Sequence, residues 1–428
     1  MTRASGRHTM RVLLLNQVFY PDVAATAQHA HDLARHLTAQ GHEVVAIASR
    51  AEYGKTGAAL PAREVVDGIT IHRVGRSLFG KSSILARIVD FGLFYLLATI
   101  KAFTIRRPDV VICFTTPPFI ALVGWLMRVI RGSRFVYWVM DLYPDLPVAC
   151  GVMQERSAVT GVFERINRFC LHRADRVVVL GRCMRDRVLA KDIDPGHVVH
   201  IGVWADDQEV RPIDRVTNPY RQHWNLGDAF TVMYSGNFGL GHDVETMCEA
   251  ARRLRDEPEI RFLFVGGGKR KAEVDAYIDE HGLTNCVIDD YQPRERLHES
   301  LSCADVHLAS LKAGVEGIMV PCKLFGIMAA ARPTIFIGDS SSELARVLEE
   351  HDAGMVVANG DADALVAAIL ALRDDPDRCR AMGAAARTAL REAYNRDAAC
   401  EAWRELLETL HDADASEPET SPHGPAAT

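Results

Sequence analysis

Two apolar stretches invite a membrane reading, and both are too short for it. The uncharged run between Asp90 and Lys101 is ten residues, and "PPFIALVGWLM" ends at Arg128, whereas a bilayer span takes roughly 20 apolar residues. Basic residues are not in excess either: 49 Lys and Arg stand against 56 Asp and Glu, a net charge of -7. Phosphate-backbone binding normally brings a concentrated basic surface, so no nucleic-acid partner is expected. The ten Cys form no C-x-x-C pair and no Cys/His spacing of a zinc site, which leaves reduced thiols in a cytosolic protein and no metal. Among the 17 His there is no H-E-x-x-H pair, so zinc-enzyme and hydrolase readings gain no support.

What is present is an ordinary globular composition, 48% hydrophobic and 25% charged, over 428 residues, a length that suggests two domains of similar size. The opening "MTRASGRHTM" carries no apolar core, and Met10 reads as the more natural start. The polar, Pro-containing end "DADASEPETSPHGPAAT" is expected to be disordered. The two apolar stretches read either as buried helices of an α/β domain or as a monotopic patch on a cytoplasmic membrane face. The flanks "IRRP" and "RVIRGSR" keep the second open beside the first, because anionic lipid attracts Lys and Arg.

Short β-branched runs alternate with helical patterns along the whole chain. "RVLLLN", "EVVAIAS", "ITIHRV", "DVVICF", "RFVYWVMD", "RVVVLG" and "VVHIG" are strands of the first half, and "AQHAHDLARHLTAQ" is a helix stopping at Gly41. The polar segment "WADDQEVRPIDRVTNPYRQHWNLGD" reads as an interdomain linker, after which "FTVMYSG", "IRFLFVG", "NCVIDDY", "DVHLASL", "PTIFIG" and "AGMVVA" restart the pattern. The expectation is α/β: two doubly wound, Rossmann-like domains with parallel sheets, facing each other across a cleft. Ligands of such sheets bind beyond the carboxyl ends of the strands.

The candidate sites lie there. "YSGNFGLGHD" (Ser235, Gly236, Asn237, Phe238, Gly239) follows a strand and reads as a phosphate or sugar loop, or as a tight structural turn, with no cation of its own. "FVGGGKRK" offers Gly266, Gly267 and Lys269 as a second anion turn or a solvated basic one. Tyr291, Gln292 and Pro293 in "VIDDYQPRERL" can present backbone groups to a base edge or simply end a strand. In "GIMVPCKLFGIMAAARPTIFIG", Pro321, Cys322, Lys323 and Leu324 open a short helix, where Lys323 suits an anion. "WVMDLYPDLP" ends a strand with Asp141 and Asp145, which suit sugar hydroxyls, a base role or plain turn capping. "NQVFYPDVAATAQHAHDLA" is a strand, a Pro-broken loop and a helix beginning near Thr26.

In this order and spacing these pieces, with "PDVVICFTTPP" and "VPCKLFGIMAAARP", resemble glycosyltransferase family four from Met10 to about Leu410. The closest likeness is to the fucosamine-transferase-like branch of O-antigen and capsule assembly. The resemblance implies the GT-B architecture: an N-terminal acceptor domain over 10–204 and a C-terminal nucleotide-sugar domain over 205–385. A helix over 386–410 returns to the first domain, and 411–428 form a tail. It implies retaining transfer from a nucleotide-sugar, UDP-linked, with no other cofactor, to a glycan or lipid-diphosphate-linked acceptor, by a cytoplasmic enzyme peripheral to the inner membrane face. Tyr20, Ala24, Ala25, Thr26, Thr116 and Met140 fall on the acceptor side. Lys323, Glu316 and Asp141 form the catalytic set.

Three departures from the family pattern carry expectations of their own. Family members carry two Glu seven residues apart, the second binding ribose; Ile318 and Gly326 stand in those places, and Glu316 is the substitute. The Arg and Lys of the family's Gly loop are missing, so Lys323 is assigned the leaving diphosphate. Met140 replaces a His that reaches the hydroxyl on carbon six, which points to a 6-deoxy donor such as a fucosamine. A non-hydrolysing nucleotide-sugar epimerase, a transferase of small-molecule natural products and a silent nucleotide-sugar binder are the alternatives.

Overall fold

The computed structural model describes residues 9–51, 59–75 and 84–416; most of the opening segment and the last twelve residues of the tail fall outside them. The chain forms two compact units, residues 1–138, 173–177 and 400–428, and residues 139–172 and 178–399. Most of 139–204 clusters with the second unit.

The described residues form fourteen strands: β1 (Arg11–Leu15), β2 (Glu43–Ser49), β3 (Arg63–Val66), β4 (Ile69–Val74), β5 (Val110–Cys113), β6 (Arg134–Val139), β7 (Arg176–Val179), β8 (Val198–His200), β9 (Phe230–Asn237), β10 (Ile260–Gly267), β11 (Cys286–Asp289), β12 (Val306–Ser310), β13 (Thr334–Ile337) and β14 (Gly354–Val357). The first sheet runs in the order β3-β4-β2-β1-β5-β6-β7-β8. β5 is buried throughout and β1 almost so, as parallel strands with both faces covered must be. The helix Ala25–Ala39 buries Ala27, Ala30, Leu33, Ala34 and Leu37, one apolar stripe at helical spacing. Sequence patterning missed β3, which is antiparallel to β4. The turn between them is Asp67-Gly68 with φ of 51° and 79°, the two-residue reversal whose twist matches a hairpin.

In the first unit the switch in strand order falls between β1 and β5. The loops after these strands meet there, with Gln17 N donating to Thr116 O at 2.7 Å. The helix Arg396–Ser416 overruns the expected start of the disordered end. From residue 400 on it belongs to this unit, where buried Trp403 packs on Trp138 with ring centroids 4.4 Å apart.

The second sheet is parallel and ordered β11-β10-β9-β12-β13-β14. Counted within the unit this is 3-2-1-4-5-6, so the switch point, where such sheets open a crevice for ligands, lies at the carboxyl ends of β9 and β12. Phe262, Phe264, Val232, Met247 and Leu365 lie in the apolar core of this unit.

Candidate functional site

The second unit's site grows from the carboxyl ends of β9 and β10. The register brings Gly236 opposite Gly266 and Asn237 opposite Gly267. Both Gly236 and Gly266 have φ of 135°, a conformation open to glycine and costly for other residues. A Cβ on Gly266 would lie 2.0 Å from Gly236 O, so the backbones touch because neither strand carries a side chain there. Phe238 N closes the turn by donating to Gly267 O at 2.7 Å. Tyr234, fully buried, holds the other side, its hydroxyl donating to Asn237 O at 2.9 Å.

Lys323 begins the short helix Lys323–Ala329. Its Nζ lies 3.6 Å from the centroid of the Tyr234 ring and would be 3.7 Å from a Cβ on Gly236. The residue is half-buried, yet Nζ itself is enclosed and has no hydrogen-bond partner. Burial holds its pKa well below the ordinary lysine value of 10.5, against a smaller upward pull from Cys322. The ring face supplies a weak attraction for a cation; an ammonium with no acceptor still carries most of its desolvation cost. The Gly loop and Lys323, both singled out in the sequence, thus share one place.

Two residues that sequence reasoning passed over complete the loop. His242 is buried, and its Nδ1 lies 2.6 Å from Ser310 O at the end of β12. A carbonyl only accepts, so Nδ1 carries the proton and Nε2 is the acceptor. Burial, then the Lys323 charge, push its pKa down to about 3, so the ring is neutral at any working pH. Arg270 is buried where its neighbour Lys269 is exposed. It donates to His242 O at 2.7 Å and to Glu245 and Glu273 at 2.5 and 2.7 Å, while its backbone N donates to Phe238 O at 3.0 Å. The sequence signal was the basic pair "KR" after the Gly turn; which member faces inward is decided by packing.

The remaining candidates are placed as follows. Tyr291 is exposed, its hydroxyl donating to Gly267 O at 3.2 Å, and its ring fills the space a Cβ on Gly267 would need. Gln292 is engaged on both sides of its amide, donating to Asp289 Oδ2 at 3.1 Å and accepting from Tyr220 at 3.0 Å; Pro293 precedes a 3-10 turn. Ser235 pairs with Val265 in the sheet. Pro321 and Leu324 are buried, Cys322 sits between them, and burial pushes its thiol up to about 12. Both Glu316 carboxylate oxygens accept from Gly314 N, at 3.1 and 2.9 Å, so the side chain is engaged within its own turn. Asp145 is paired with Lys191 at 2.9 Å.

Asp141 bridges to Met319, and Leu142 N donates to Ile318 O at 2.8 Å, which fixes the carboxylate beside the loop that leads to Lys323. Burial raises its pKa from 3.8 to about 6. Met140 before it is buried. In the first unit, Tyr20 is exposed and stacks on His31 at 4.7 Å, Ala24 and Ala25 lead into the helix containing Thr26, and Thr116 lies in the loop joined to Gln17. No group of His, Cys, Asp and Glu able to hold a metal occurs among the described residues.

Because the Asp141 carboxyl binds its proton more tightly folded than unfolded, it adds stability below about pH 4 that is lost as pH rises through about 6. Asp141→Asn is therefore expected to gain more in melting temperature over the wild type at pH 8 than at pH 4, and to flatten any rise of turnover through about pH 6. An unchanged pH profile in the variant would remove Asp141 from the reaction.

Two domain families match the chain: a glycosyl transferase 4-like domain over residues 25–204 and glycosyl transferases group 1 over residues 217–389. A Pseudomonas aeruginosa protein named as the glycosyltransferase WbjE is 32% identical over 63% of this chain and 66% of its own length. An Escherichia coli (strain K12) protein named for colanic acid biosynthesis, the glycosyl transferase WcaI, is 26% identical over 84% of this chain and 91% of its own. Among solved structures, sucrose-phosphate synthase from Thermosynechococcus elongatus superposes with a TM-score of 0.77 at 17% identity, covering 94% of this chain and 100% of that one. Anabaena HepE in complex with UDP and glucose gives a TM-score of 0.71 at 13% identity, with the same coverage. At such identities the structural likeness speaks to the fold, which is the GT-B pair of α/β domains.

Proposed function

The chain belongs to the glycosyltransferases that join a 4-like domain to a group 1 domain, and from that premise we propose a retaining transfer of a sugar from a UDP-linked donor to a glycan or lipid-diphosphate-linked acceptor in cell-surface polysaccharide assembly. The observation that carries the donor reading is the enclosed, unpartnered Nζ of Lys323 beside the Gly236–Gly266 contact. A diphosphate oxygen is the acceptor that this group lacks. The UDP in the HepE complex and the biosynthetic names of WbjE and WcaI support the same reading.

In the reaction, the bond between the sugar's anomeric carbon and the diphosphate oxygen breaks, and that oxygen takes up negative charge. Lys323 and the N–H groups of the 236–239 loop other than that of Phe238, which Gly267 O holds, stabilise it, which lowers the barrier because the charge grows only in the transition state. The acceptor hydroxyl attacks from the same face, and its proton passes to the departing diphosphate. Tyr291 and its neighbours meet the base, Asp141 meets sugar hydroxyls, and the loops with Tyr20, Ala24, Ala25, Thr26 and Thr116 meet the acceptor. Glu316 keeps its family-derived role only if it gives up its contact with Gly314.

Met140 sets the donor class. A buried thioether packs against a methyl and is a poor partner for a hydroxyl, so a 6-deoxy donor is expected to turn over faster than its 6-hydroxy counterpart on the same nucleotide. Met140→His is expected to shift that preference by about tenfold or more towards the hydroxyl. Wild-type preference for the 6-hydroxy donor would refute it. Thermal stabilisation across a panel of nucleotide-sugars tests the donor reading, since a ligand bound only by the native state raises its melting temperature; turnover without any acceptor would identify an epimerase instead.

A further inference from the structure

His242 carries a polar atom that the departure of the diphosphate does not use. The residue is 4% exposed, and its Nδ1–H donates to Ser310 O at 2.6 Å, so the ring is fixed as the tautomer whose Nε2 bears a lone pair. Among the described residues that Nε2 has no hydrogen-bond partner, and it is not sealed from solvent as Lys323 Nζ is. Its edge of the ring borders the Gly loop: Cδ2, the carbon bonded to Nε2, lies 3.5 Å from where a Cβ on Gly239 would stand. Arg270 holds the same residue through His242 O at 2.7 Å, and the ring packs edge-on to Tyr234 with centroids 6.2 Å apart. The imidazole is held at its backbone, at Nδ1 and along one edge, and one acceptor is left open.

An atom that can only accept selects what faces it. Burial, then the Lys323 charge, keep the ring neutral by lowering its pKa to about 3, and the lone pair of Nε2 repels the oxygens of a diphosphate, which carry lone pairs and charge of their own. The group opposite must bring an O–H or an N–H. Strand order selects which part of a nucleotide-sugar that is. In the order β11-β10-β9-β12, the Gly turn of β10 and Tyr291 after β11 lie on one flank of the Gly loop, and Ser310, which anchors His242, ends β12 on the other. Lys323 Nζ stands at Gly236 on β9, between the two flanks. With the base towards Tyr291 and the diphosphate at Lys323, the part that reaches the β12 flank is the sugar.

We propose that His242 Nε2 accepts a hydrogen bond from a hydroxyl or amide N–H of the transferred sugar, so that the loop after β9 reads the sugar as well as the phosphates. This contact rests on the UDP-sugar reading of the site and adds to it a residue that a nucleoside diphosphate alone cannot engage.

The test separates the two ring nitrogens. His242→Asn keeps an amide N–H for Ser310 O and leaves nothing at the place of Nε2, whereas His242→Gln sets an amide oxygen near that place and gives up the Ser310 bond. Affinities of the full chain for UDP, UDP-glucose and UDP-N-acetylfucosamine are measured by isothermal titration. His242→Asn is expected to bind the better-held UDP-sugar about tenfold more weakly than wild type while its affinity for UDP stays within about twofold, and His242→Gln to recover most of that loss. An unchanged melting temperature without ligand shows that each variant is folded. His242→Phe fills the space with no acceptor, should show the same loss, and replaces the Asn variant if that one does not fold. The reverse order, with the Gln variant weakened and the Asn and Phe variants like wild type, would overturn the proposal, because the ring would then only brace the turn at Ser310. Equal weakening for UDP and UDP-sugar would overturn it by putting the bonded group on the nucleotide. A wild type that binds none of these ligands would instead overturn the donor reading, and this contact with it.

Discussion

Lys323→Ala is expected to lower turnover about 100-fold or more, the loss that follows removal of one preorganised transition-state donor. The donor-free protein should not suffer. Lys323 Nζ is enclosed without a hydrogen-bond partner, and burial holds its pKa well below 10.5, so its presence costs the apo fold stability. The folded state binds fewer protons at this site than the unfolded chain, and wild-type stability therefore rises with pH between the depressed folded value and 10.5. Lys323→Met, which keeps the packing, should melt higher than wild type at pH 7 and lose this advantage as pH approaches 10.5. Donor binding should in turn draw a proton onto Lys323, visible as a binding enthalpy that depends on the buffer and ceases to do so in Lys323→Met. Turnover of Lys323→Ala within a few-fold of wild type would end the diphosphate assignment.

The second large effect is expected at Gly266. Alanine there would place its Cβ 2.0 Å from Gly236 O at a φ of 135°, combining a backbone conformation foreign to L-residues with a clash against main chain. The expected cost is roughly 3–5 kcal/mol by denaturant unfolding, together with loss of thermal stabilisation by the donor, because β9 and β10 must part where the loop begins. Gly282→Ala is the control. It too has a positive φ, 59°, but nothing lies within 4 Å of a Cβ there, so about 1–2 kcal/mol is expected with donor stabilisation intact. Equal costs at the two sites would show that φ alone, and not the contact of the two strands, makes Gly266 necessary.

Much of this site was legible because its parts are local. The Gly turn after β9, the Gly turn after β10 and the Lys opening a short helix each announce themselves within ten residues, since strand, loop and helix start follow from β-branched runs, glycine and helical periodicity. The partners that make the site function were not legible. Tyr234 reads as one more apolar residue of a buried strand, yet its ring is the platform under Lys323 Nζ. Lys269 and Arg270 are adjacent cations, and only the packing of the turn on His242 O and Phe238 O decides that Arg270 is the buried brace. Glu316 suited a sugar by its position, but its carboxylate turns back on Gly314 N. Strand β3 was missed because four half-exposed residues carry little pattern, and the Asp67-Gly68 turn was the signal available.

What the sequence determined by itself was the α/β alternation, and with it the parallel sheets and the strand ends where ligands bind, because hydrophobic period and turn residues act over short distances. The order 3-2-1-4-5-6 of the second sheet, which selects the ends of β9 and β12 as the crevice, came from the tertiary structure. So did the meeting of Lys323 with Gly236 across 87 residues of chain and of the cations Arg63, Lys101 and Arg106 in one cavity. The physical reason is that such long-range neighbours are chosen by how whole elements pack around buried apolar faces. The energy of that choice is spread over many side chains and leaves no mark in the few residues that end up together.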